Sequence, residues 1–348
     1  MRALAGLGPV DLVYGAFGGA EPDPAYEAIE NLALHRISRP SPLRRLPAYA
    51  RARAAGVPEQ FARGIWPGIA SRAVALADTG GARLIADGPI AAAGLLPRLG
   101  GRDAVYSAHN LESAFRHRLE DEQLSQRGLR RFERDLLERF PESWMVSPAD
   151  LAGAAELAPG AKLRLVPNVV DVAAIEPLPP RSGQRRALFL ANFDYEPNAE
   201  AFGFLRDEVM PALWGRDPEF RLAVAGKGSD LLAGGEGPID LLGFADDLRQ
   251  LYDSAGCVVV PLLEGGGSPL KFVEALAFAI PVVATPKAAA GLEAQAGVHF
   301  AEAAGGADFA AAMLAVVDPE VGMPLARAGR ELAEREYSIE SLRERLAP

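Results

Sequence analysis

Short runs of apolar, β-branched residues alternate along this chain with longer stretches in which apolar residues recur at helical spacing. Runs without polar alternation are typical of strands buried on both faces of a parallel sheet. The predicted strands of the first half are Val10–Tyr14, Ala82–Ala86, Ala104–Tyr106, Ser143–Val146 and Leu163–Val166. Those of the second half are Ala187–Ala191, Phe220–Ala225, Ile239–Leu242, Cys257–Val260 and Pro281–Ala284.

The stretches between these strands predict helices on both faces of the sheets. They are Glu112–Phe140, Pro148–Leu157, Asn198–Leu213, Ala245–Ser254, Ser268–Phe278, Leu325–Glu336 and Ile339–Leu346. Regular alternation of buried strands and helices predicts an α/β protein with two doubly wound, Rossmann-like domains.

A proline-rich stretch separates the two halves and predicts the domain boundary. It contains Pro177, Pro179, Pro180, Ser182 and Gly183, a composition typical of a linker. We therefore predict a first domain over 1–171, a linker over 172–186, a second domain over 187–322 and C-terminal helices over 323–348. Ligands of such sheets bind outside the carboxyl ends of the strands, so a cleft between the domains is the expected site.

Composition narrows the function classes. The 348 residues carry a net charge of −10, which disfavours nucleic-acid binding because that requires many Lys and Arg on phosphates. Cys257 is the only cysteine and lies in an apolar run, so it is interpreted as a buried small side chain. No metal site is expected from the spacing of the histidines, which are His35, His109, His117 and His299.

Neither a signal peptide nor a membrane-spanning segment is indicated. The N-terminus lacks the basic start, apolar core and cleavage site of a secretory signal. The longest apolar candidate, Leu276–Ala284, is interrupted by Pro281 and is far shorter than the ~20 residues that a spanning helix needs. A cytoplasmic location is the expectation.

The second half contains a segment whose residues favour an anion next to a carboxylate. The strand Cys257–Val260 runs into three glycines, Gly265, Gly266 and Gly267. Ser268 is predicted to cap the next helix, with Pro269 at its first position. Glycine backbone N–H groups and a helix start attract phosphate, and Lys271 adds a full charge. Glu274 follows on the same helix face; a solvated Lys–Glu pair after a flexible loop is the alternative.

Several motifs in order resemble glycosyltransferase family 4 (group 1), of the two-domain GT-B fold, in its glycine-rich GxGxxxKxxEA variant. In the second half they are FLANFDYEPN (Phe189–Asn198), LAVAGKG (Leu222–Gly228), LLGFADDLRQLYDSAGCVVVPL (Leu241–Leu262) and GGGSPLKFVEALAFAIPVVATPKAAAGL (Gly265–Leu292). In the first half they are SAHNLES (Ser107–Ser113) and VPNVVD (Val166–Asp171).

The resemblance implies a nucleotide-sugar donor in the second domain. Glu274 matches the glutamate that binds the donor ribose, and Lys271 becomes the main diphosphate cation. Gly266 stands where many relatives have a second glutamate, so backbone N–H groups of the glycine segment would contact the donor sugar. Many relatives also have an Arg and a Lys after the strand at Phe189, where this chain has none; Lys227 is a candidate substitute.

The resemblance also implies a nucleobase contact and an acceptor side. Gly243 and Phe244 fall where the family packs the base, with core packing of Phe244 as the alternative. His109 matches the first-domain histidine that lines the acceptor side, with a structural role as its alternative. Relatives usually retain anomeric configuration and need no carboxylate pair. No cofactor or metal is expected beyond the donor.

The sequence thus predicts a metal-independent glycosyltransferase that moves a sugar from a nucleotide diphosphate to a carbohydrate, lipid-linked or small-molecule hydroxyl acceptor. Two other functions stay open. One is a nucleotide-sugar epimerase on the same fold, which the four histidines disfavour. The other is a non-catalytic nucleotide-sugar-binding protein.

The N-terminus departs from the family pattern. Arg2–Val13 resembles the end of the family's first helix and the start of its next strand, so the first strand and its Gly-Gly loop are not found. A misassigned start or a truncated chain would explain this. For a chain that begins here we expect exposed strand edges, a poorly stable first domain and low activity.

One basic patch stands out in the acidic chain. Residues Arg36–Arg63 hold seven arginines and one acid, Glu59, a net charge of +6. An anionic membrane surface on the inner face, or a phosphorylated lipid acceptor, would suit it. Pro40, Pro42, Pro47 and Pro58 argue against one long amphipathic helix, and a solvated loop and helix face is the alternative.

Overall fold

A computed structural model of the protein describes residues 1–16, 23–114, 122–179, 183–234, 237–265 and 267–347. The chain divides into two compact units. Unit 1 comprises Met1–Pro167 and Arg343–Pro348, and unit 2 comprises Asn168–Leu342.

The strands of unit 1 form two separate parallel sheets in the described part of the chain. They are β1 (Val10–Gly15), β2 (Leu32–Ile37), β3 (Leu84–Asp87), β4 (Ala104–Ser107), β5 (Glu142–Met145) and β6 (Leu163–Leu165). β1 pairs with β2, and the second sheet has the order β3-β4-β5-β6. Sequence analysis missed β2, because His35 and Arg36 interrupt its apolar pattern.

The helices of unit 1 alternate with these strands, and a serine side chain caps one of them. They are α1 (Arg2–Ala5), α2 (Pro42–Ala54), α3 (Glu59–Ala62), α4 (Pro67–Gly80), α5 (Gly88–Leu95), α6 (Glu122–Arg139) and α7 (Pro148–Leu157). Ser147 caps α7 by accepting a hydrogen bond from the Asp150 N–H at 3.0 Å. The single helix predicted over Glu112–Phe140 is wrong at its start, since Glu112–Ala114 forms a separate 3-10 turn; residues 115–121 lie outside the described residues.

Unit 2 is built on one continuous parallel sheet. Its strands are β7 (Arg186–Leu190), β8 (Arg221–Ala225), β9 (Ile239–Gly243), β10 (Cys257–Val260), β11 (Val282–Ala284) and β12 (Ala301–Glu302), in the order β12-β11-β10-β7-β8-β9. The order reverses between β7 and β10, which is the topological switch point of a doubly wound sheet.

Helices cover both faces of this sheet. They are α8 (Glu196–Phe204), α9 (Met210–Trp214), α10 (Leu248–Asp253), α11 (Leu270–Ala277), α12 (Pro286–Ala289), α13 (Gly306–Val316) and α14 (Pro319–Glu336). The last helix, α15 (Ile339–Leu346), contains the boundary between Leu342 of unit 2 and Arg343 of unit 1. Leu188 packs into the core on one face, and Phe189 packs into the core on the other. The predicted helix Asn198–Leu213 is interrupted by a π-helical turn, Leu205–Val209.

The segment predicted as a linker packs on unit 2 where it is described. Leu178 is buried, and its N–H donates to the Phe278 carbonyl at 2.9 Å. The Arg330 guanidinium donates to the carbonyls of Val172 and Ile175 at 3.2 and 2.8 Å. These contacts attach the segment to the helices of unit 2.

The only cysteine of the chain, Cys257, lies in the core of unit 2. Cys257 is fully buried, as predicted, and burial raises the pKa of its thiol to about 12. No single helix among the described residues has the length and apolarity to cross a membrane; α13 and α14, bent by 91°, pass that test only as a pair.

Candidate functional site

The glycine segment lies at the carboxyl end of β10, beside the switch point of unit 2. Gly265 and Gly267 have φ angles of +114° and +68°, a region that side-chain-bearing residues rarely adopt. Gly266 lies outside the described residues. The turn at Gly267 leads directly to Ser268 and α11.

The predicted cap of α11 is wrong. The helix begins at Leu270, and Pro269 is its flanking residue with an extended backbone, so no side chain caps the first turn. Ser268 is instead buried, and its hydroxyl has no hydrogen-bond partner in the described part of the chain. A buried hydroxyl without a partner is costly, so Ser268 is a candidate hydrogen-bond donor to a ligand at the helix start.

Lys271 is a partly buried cation held by a neutral group. Its Nζ donates to Asn198 Oδ1 at 2.7 Å and lies 4.9 Å from the centre of the Phe189 ring. Desolvation lowers the pKa of Lys271 to about 7. The solvated Lys–Glu pair considered above is therefore wrong, because Lys271 and Glu274 each bind a different side chain.

Asn198 positions Lys271 and was missed as a site residue. It lies in the first turn of α8, where its Nδ2 donates to the Asn192 carbonyl at 2.7 Å. That bond orients the side-chain oxygen toward Lys271. The available signal was the Pro197–Asn198 pair after an apolar strand, but the sequence does not reveal which lysine it meets.

Glu274 receives a hydrogen bond from a buried tyrosine. The Tyr252 hydroxyl donates to Glu274 Oε2 at 3.2 Å, and the Tyr252 ring stacks on Phe278 with centroids 4.4 Å apart. Desolvation raises the pKa of Glu274, and the bond from Tyr252 partly opposes this. Tyr252 was also missed, since the tyrosine of α10 is 22 positions from Glu274.

The turn after β9 carries an exposed aromatic ring. Gly243 ends β9, and its carbonyl accepts from the Gly226 N–H at 2.8 Å. Phe244 follows with 74% of its surface exposed. The core-packing interpretation of Phe244 is therefore wrong, and the ring is available to stack on a ligand.

Lys227, the candidate substitute cation, is already paired. Its Nζ lies 2.5 Å from Asp194 Oδ2, and both side chains are more than half exposed. Its carbonyl accepts from the Phe193 N–H at 2.9 Å, which joins the loops after β7 and β8. Lys227 would have to leave Asp194, or share it, to contact a phosphate.

His109 of unit 1 forms a pair with an aspartate. Its Nε2 lies 3.0 Å from Asp87 Oδ1, which also accepts from the Ser107 hydroxyl at 3.2 Å. The hydrogen bond to Asp87 raises the pKa of His109 against desolvation, and the bond to His109 lowers the pKa of Asp87. Asp87 was missed, although an acidic residue at the end of an apolar strand was a signal.

The predicted site residues of each unit lie at one edge of its sheet, because the strands are parallel and their carboxyl ends lie at the same edge. The glycine segment follows β10, Lys227 follows β8 and Phe244 follows β9, so all lie at the carboxyl edge of the unit 2 sheet. His109 and Asp87 lie at the carboxyl ends of β4 and β3 in unit 1. Lys271 and Asn198 lie on the two sides of the switch point between β10 and β7. No group of three or more potential metal ligands occurs in the described ranges.

A comparison with known families concerns the part of the chain that contains the sheet of unit 2. Residues 184–318 match the family model described as glycosyl transferases group 1. These residues therefore form a glycosyl transferase group 1 domain. No curated protein matches the sequence.

Solved structures are similar over most of the chain at low identity. HepE from Anabaena, in complex with UDP and glucose, is 15% identical with a TM-score of 0.64, over 95% of this chain and 89% of that one. Sucrose-phosphate synthase from Thermosynechococcus elongatus is 17% identical with a TM-score of 0.63, over 80% and 76%. A glycosyltransferase from Rickettsia africae is 11% identical with a TM-score of 0.57, over 89% and 83%. The predicted α/β fold of the GT-B class is confirmed.

Proposed function

We propose that this protein transfers a sugar from a nucleotide diphosphate sugar to a hydroxyl acceptor, with retention of configuration and without a metal ion. The glycosyl transferase group 1 domain over 184–318 supports sugar transfer. In the proposed reaction the bond between the anomeric carbon and the β-phosphate oxygen breaks, and its electron pair leaves with the diphosphate. A bond between the anomeric carbon and the acceptor oxygen forms, and the proton of the acceptor hydroxyl passes to the departing diphosphate. Retention rests on the resemblance to a family whose members usually retain.

The observation that carries the proposal is the uncompensated charge of Lys271. Burial lowers its pKa to about 7, and its hydrogen-bond partner is a neutral amide. A diphosphate would supply the missing negative charge, and the start of α11 would add its N–H groups. Charge stabilisation of the departing diphosphate is the largest contribution expected from such a site, and it makes a metal ion unnecessary.

The neighbouring side chains suit the remaining parts of the donor. Glu274, three residues after Lys271, would bind the ribose hydroxyls, with Tyr252 fixing its orientation. The exposed ring of Phe244, after Gly243, would stack on the base. Backbone N–H groups of Gly265, Gly266 and Gly267 would contact the donor sugar. HepE crystallises with UDP-glucose, so a uridine nucleotide is the first donor to test.

His109 is proposed for the acceptor or the donor sugar. Because one ring nitrogen contacts Asp87, the other is left to face a sugar hydroxyl, and Asp87 fixes the ring orientation. This is the same way in which a carboxylate orients a histidine in other enzyme sites.

The test is a transfer and hydrolysis assay on the full chain with Lys271→Ala and Glu274→Ala. Donors are first screened by thermal shift with UDP-, GDP-, ADP- and TDP-sugars, because binding to the native state raises its stability. Both variants should lose at least about a hundredfold in turnover. Arg216→Ala and Glu331→Ala, which remove exposed charges of unit 2 outside the carboxyl edge of its sheet, are the matched controls. Full turnover in both site variants would show that the site is assigned wrongly.

The same assay separates the two other functions. A non-catalytic binding protein would show the thermal shift without release of nucleoside diphosphate. An epimerase would convert one sugar nucleotide into another without releasing the diphosphate. Transfer to an acceptor, with the product's anomeric configuration read by NMR, would support the glycosyltransferase.

A further inference from the structure

Helix α2 (Pro42–Ala54) presents its apolar side to solvent. Leu43 and Leu46 are 84% and 61% exposed. Pro47 and Ala50 are exposed as well and share their face of the helix, since positions separated by three, four and seven residues lie on one side. The opposite side holds Ala52, which packs into the core of unit 1. A surface helix usually has the reverse arrangement, with apolar residues toward the core.

Arginines flank this apolar face. Arg44 and Arg51, seven positions apart, are exposed along one border, and Arg53 lies on the other. Neither Arg44 nor Arg51 has an ion-pair partner among the described residues. Arg53 donates to the Val57 carbonyl at 2.6 Å, so its charge is not neutralised by a carboxylate.

The single acid of the patch is already paired within it. Glu59 is the only acid between Arg36 and Arg63, and it pairs with Arg63. Arg45 donates to the Arg63 carbonyl. The arginines that border the apolar face, Arg44, Arg51 and Arg53, therefore keep their charge, in a chain whose net charge is −10.

We propose that α2 is an interfacial helix that lies in the headgroup region of an anionic lipid bilayer, with Leu43 and Leu46 inserted among the acyl chains. An interfacial helix needs an apolar face bordered by cations that reach the phosphates. α2 has both: Arg44 lies beside the leucines in the first turns, and Arg51 and Arg53 lie in the last turn. The 13-residue length of α2 suits a helix that lies on a bilayer, since a spanning helix needs about 20 apolar residues.

The charge pattern favours lipid over a second copy of the chain. Two copies meeting through this face would bring two clusters of arginines together, and like charges repel. An anionic bilayer instead supplies phosphates to Arg44, Arg51 and Arg53, which border the apolar face. The proposal is independent of the donor site, because it concerns α2 of unit 1 alone.

The test is sedimentation of the full chain with vesicles. One set is phosphatidylcholine alone, and the other contains about one part phosphatidylglycerol in four, which gives the surface a negative potential. Binding is expected only to the anionic set and should weaken as salt is added. Arg44→Gln/Arg51→Gln should lower the partition coefficient about 25-fold, at about fivefold per arginine. Leu43→Ser/Leu46→Ser should lower it at least about tenfold.

Matched variants control for bulk charge and apolar surface. Arg130→Gln/Arg131→Gln removes two exposed arginines from α6 of the same unit, and Leu231→Ser removes a leucine that is also 84% exposed, in unit 2. Both should bind vesicles as the unmodified chain does. Circular dichroism and thermal melting should be the same for all variants, because the altered side chains are exposed.

Three results would overturn the proposal. One is equal binding to neutral and anionic vesicles, or no binding to either. Another is unchanged binding by Leu43→Ser/Leu46→Ser. The third is self-association of the unmodified chain that increases with concentration, measured by light scattering, together with an absence of vesicle binding. If Leu43→Ser/Leu46→Ser abolishes this self-association, the apolar face of α2 binds a second copy of the chain.

Discussion

Unit 1 contains a buried carboxylate, Glu142, and unit 2 contains a partly buried cation, Lys271, and the surroundings of the two charges are opposite. In unit 1 the Glu142 carboxylate, 4% exposed, contacts Arg83, Lys162 and Arg164 at 3.1, 2.8 and 3.9 Å. The Trp144 indole also donates to it at 2.8 Å. In unit 2 Lys271 has one neutral oxygen and the face of one ring.

The pKa values follow from these surroundings. Burial alone would raise the pKa of Glu142, but the hydrogen bonds from Lys162, Trp144 and Arg83 outweigh it and bring the pKa to about 2. Burial of Lys271 meets no opposing charge, and its pKa falls to about 7. A buried charge that is paired with opposite charges inside the protein contributes to the stability of the fold. A buried charge without a counter-charge is instead available to bind a ligand of opposite charge.

The largest expected effect comes from replacing the unbalanced charge. Lys271→Met should weaken turnover of the donor by about 10²- to 10³-fold, because the departing diphosphate loses its cation. The same change should raise the free energy of unfolding by about 1–2 kcal/mol, because a partly buried charge is replaced by an apolar side chain. Turnover and chemical denaturation measure the two effects. A loss of stability together with the loss of turnover would break the comparison.

A smaller effect is expected from the balanced charge. Glu142→Gln should lower the free energy of unfolding by about 2 kcal/mol. This loss is smaller than for a fully buried ion pair, because the cations around Glu142 are partly exposed to solvent. Donor binding should be unchanged. Since the folded pKa of Glu142 lies below its ordinary value of 4.5, its stabilisation is present above pH 4.5 and is lost as the pH falls toward 2. The variant should lack that part of the acid sensitivity, which denaturation at several pH values would reveal.

The smallest expected effect is a pH dependence of donor affinity. In the unliganded protein Lys271 is half neutral at about pH 7, and a bound diphosphate would hold the proton on it. Affinity for the nucleotide diphosphate should therefore fall by up to about tenfold per pH unit above pH 7, or 1.4 kcal/mol. Calorimetry in two buffers of different ionisation heat should show proton uptake on binding above pH 7. Lys271→Met is the control and should show no uptake from this group; an unchanged affinity between pH 7 and 9 in the unmodified chain would contradict the assignment.

The lowered pKa of Lys271 also makes its contribution to the free energy of unfolding depend on pH. Its folded pKa is lowered, so the unfolded chain binds more protons between pH 7 and 10.5. The contribution of Lys271 to the stability of the folded protein should therefore rise with pH across this window, in the absence of donor. The contribution of Glu142 is constant in that window, so the two charges are separable by pH.

Sequence analysis predicted features that depend on neighbours along the chain. The glycine segment, Lys271 and Glu274 were predicted as site residues because backbone freedom and helical spacing are local properties, and their role stays a prediction. Three misses share one cause, which is contact between residues that are distant in sequence. Asn198 meets Lys271 across 73 positions, Tyr252 meets Glu274 across 22, and Asp87 meets His109 across 22. The Ser268 cap failed because burial of its side chain outweighed a local preference.

The sequence by itself determined the strand–helix alternation and the parallel sheets, and it is the source of the prediction that Lys271 and Glu274 bind an anion beside a carboxylate. These follow from apolar periodicity and from residue chemistry, which need no tertiary contacts. Only the tertiary structure decided that Lys271 is desolvated and lacks a counter-charge, that Phe244 is exposed, and that α2 turns Leu43 and Leu46 to solvent. Burial depends on what packs against a side chain, and for Lys271 the adjacency of β10 and β7 in the sheet, rather than order in the chain, set the contacts.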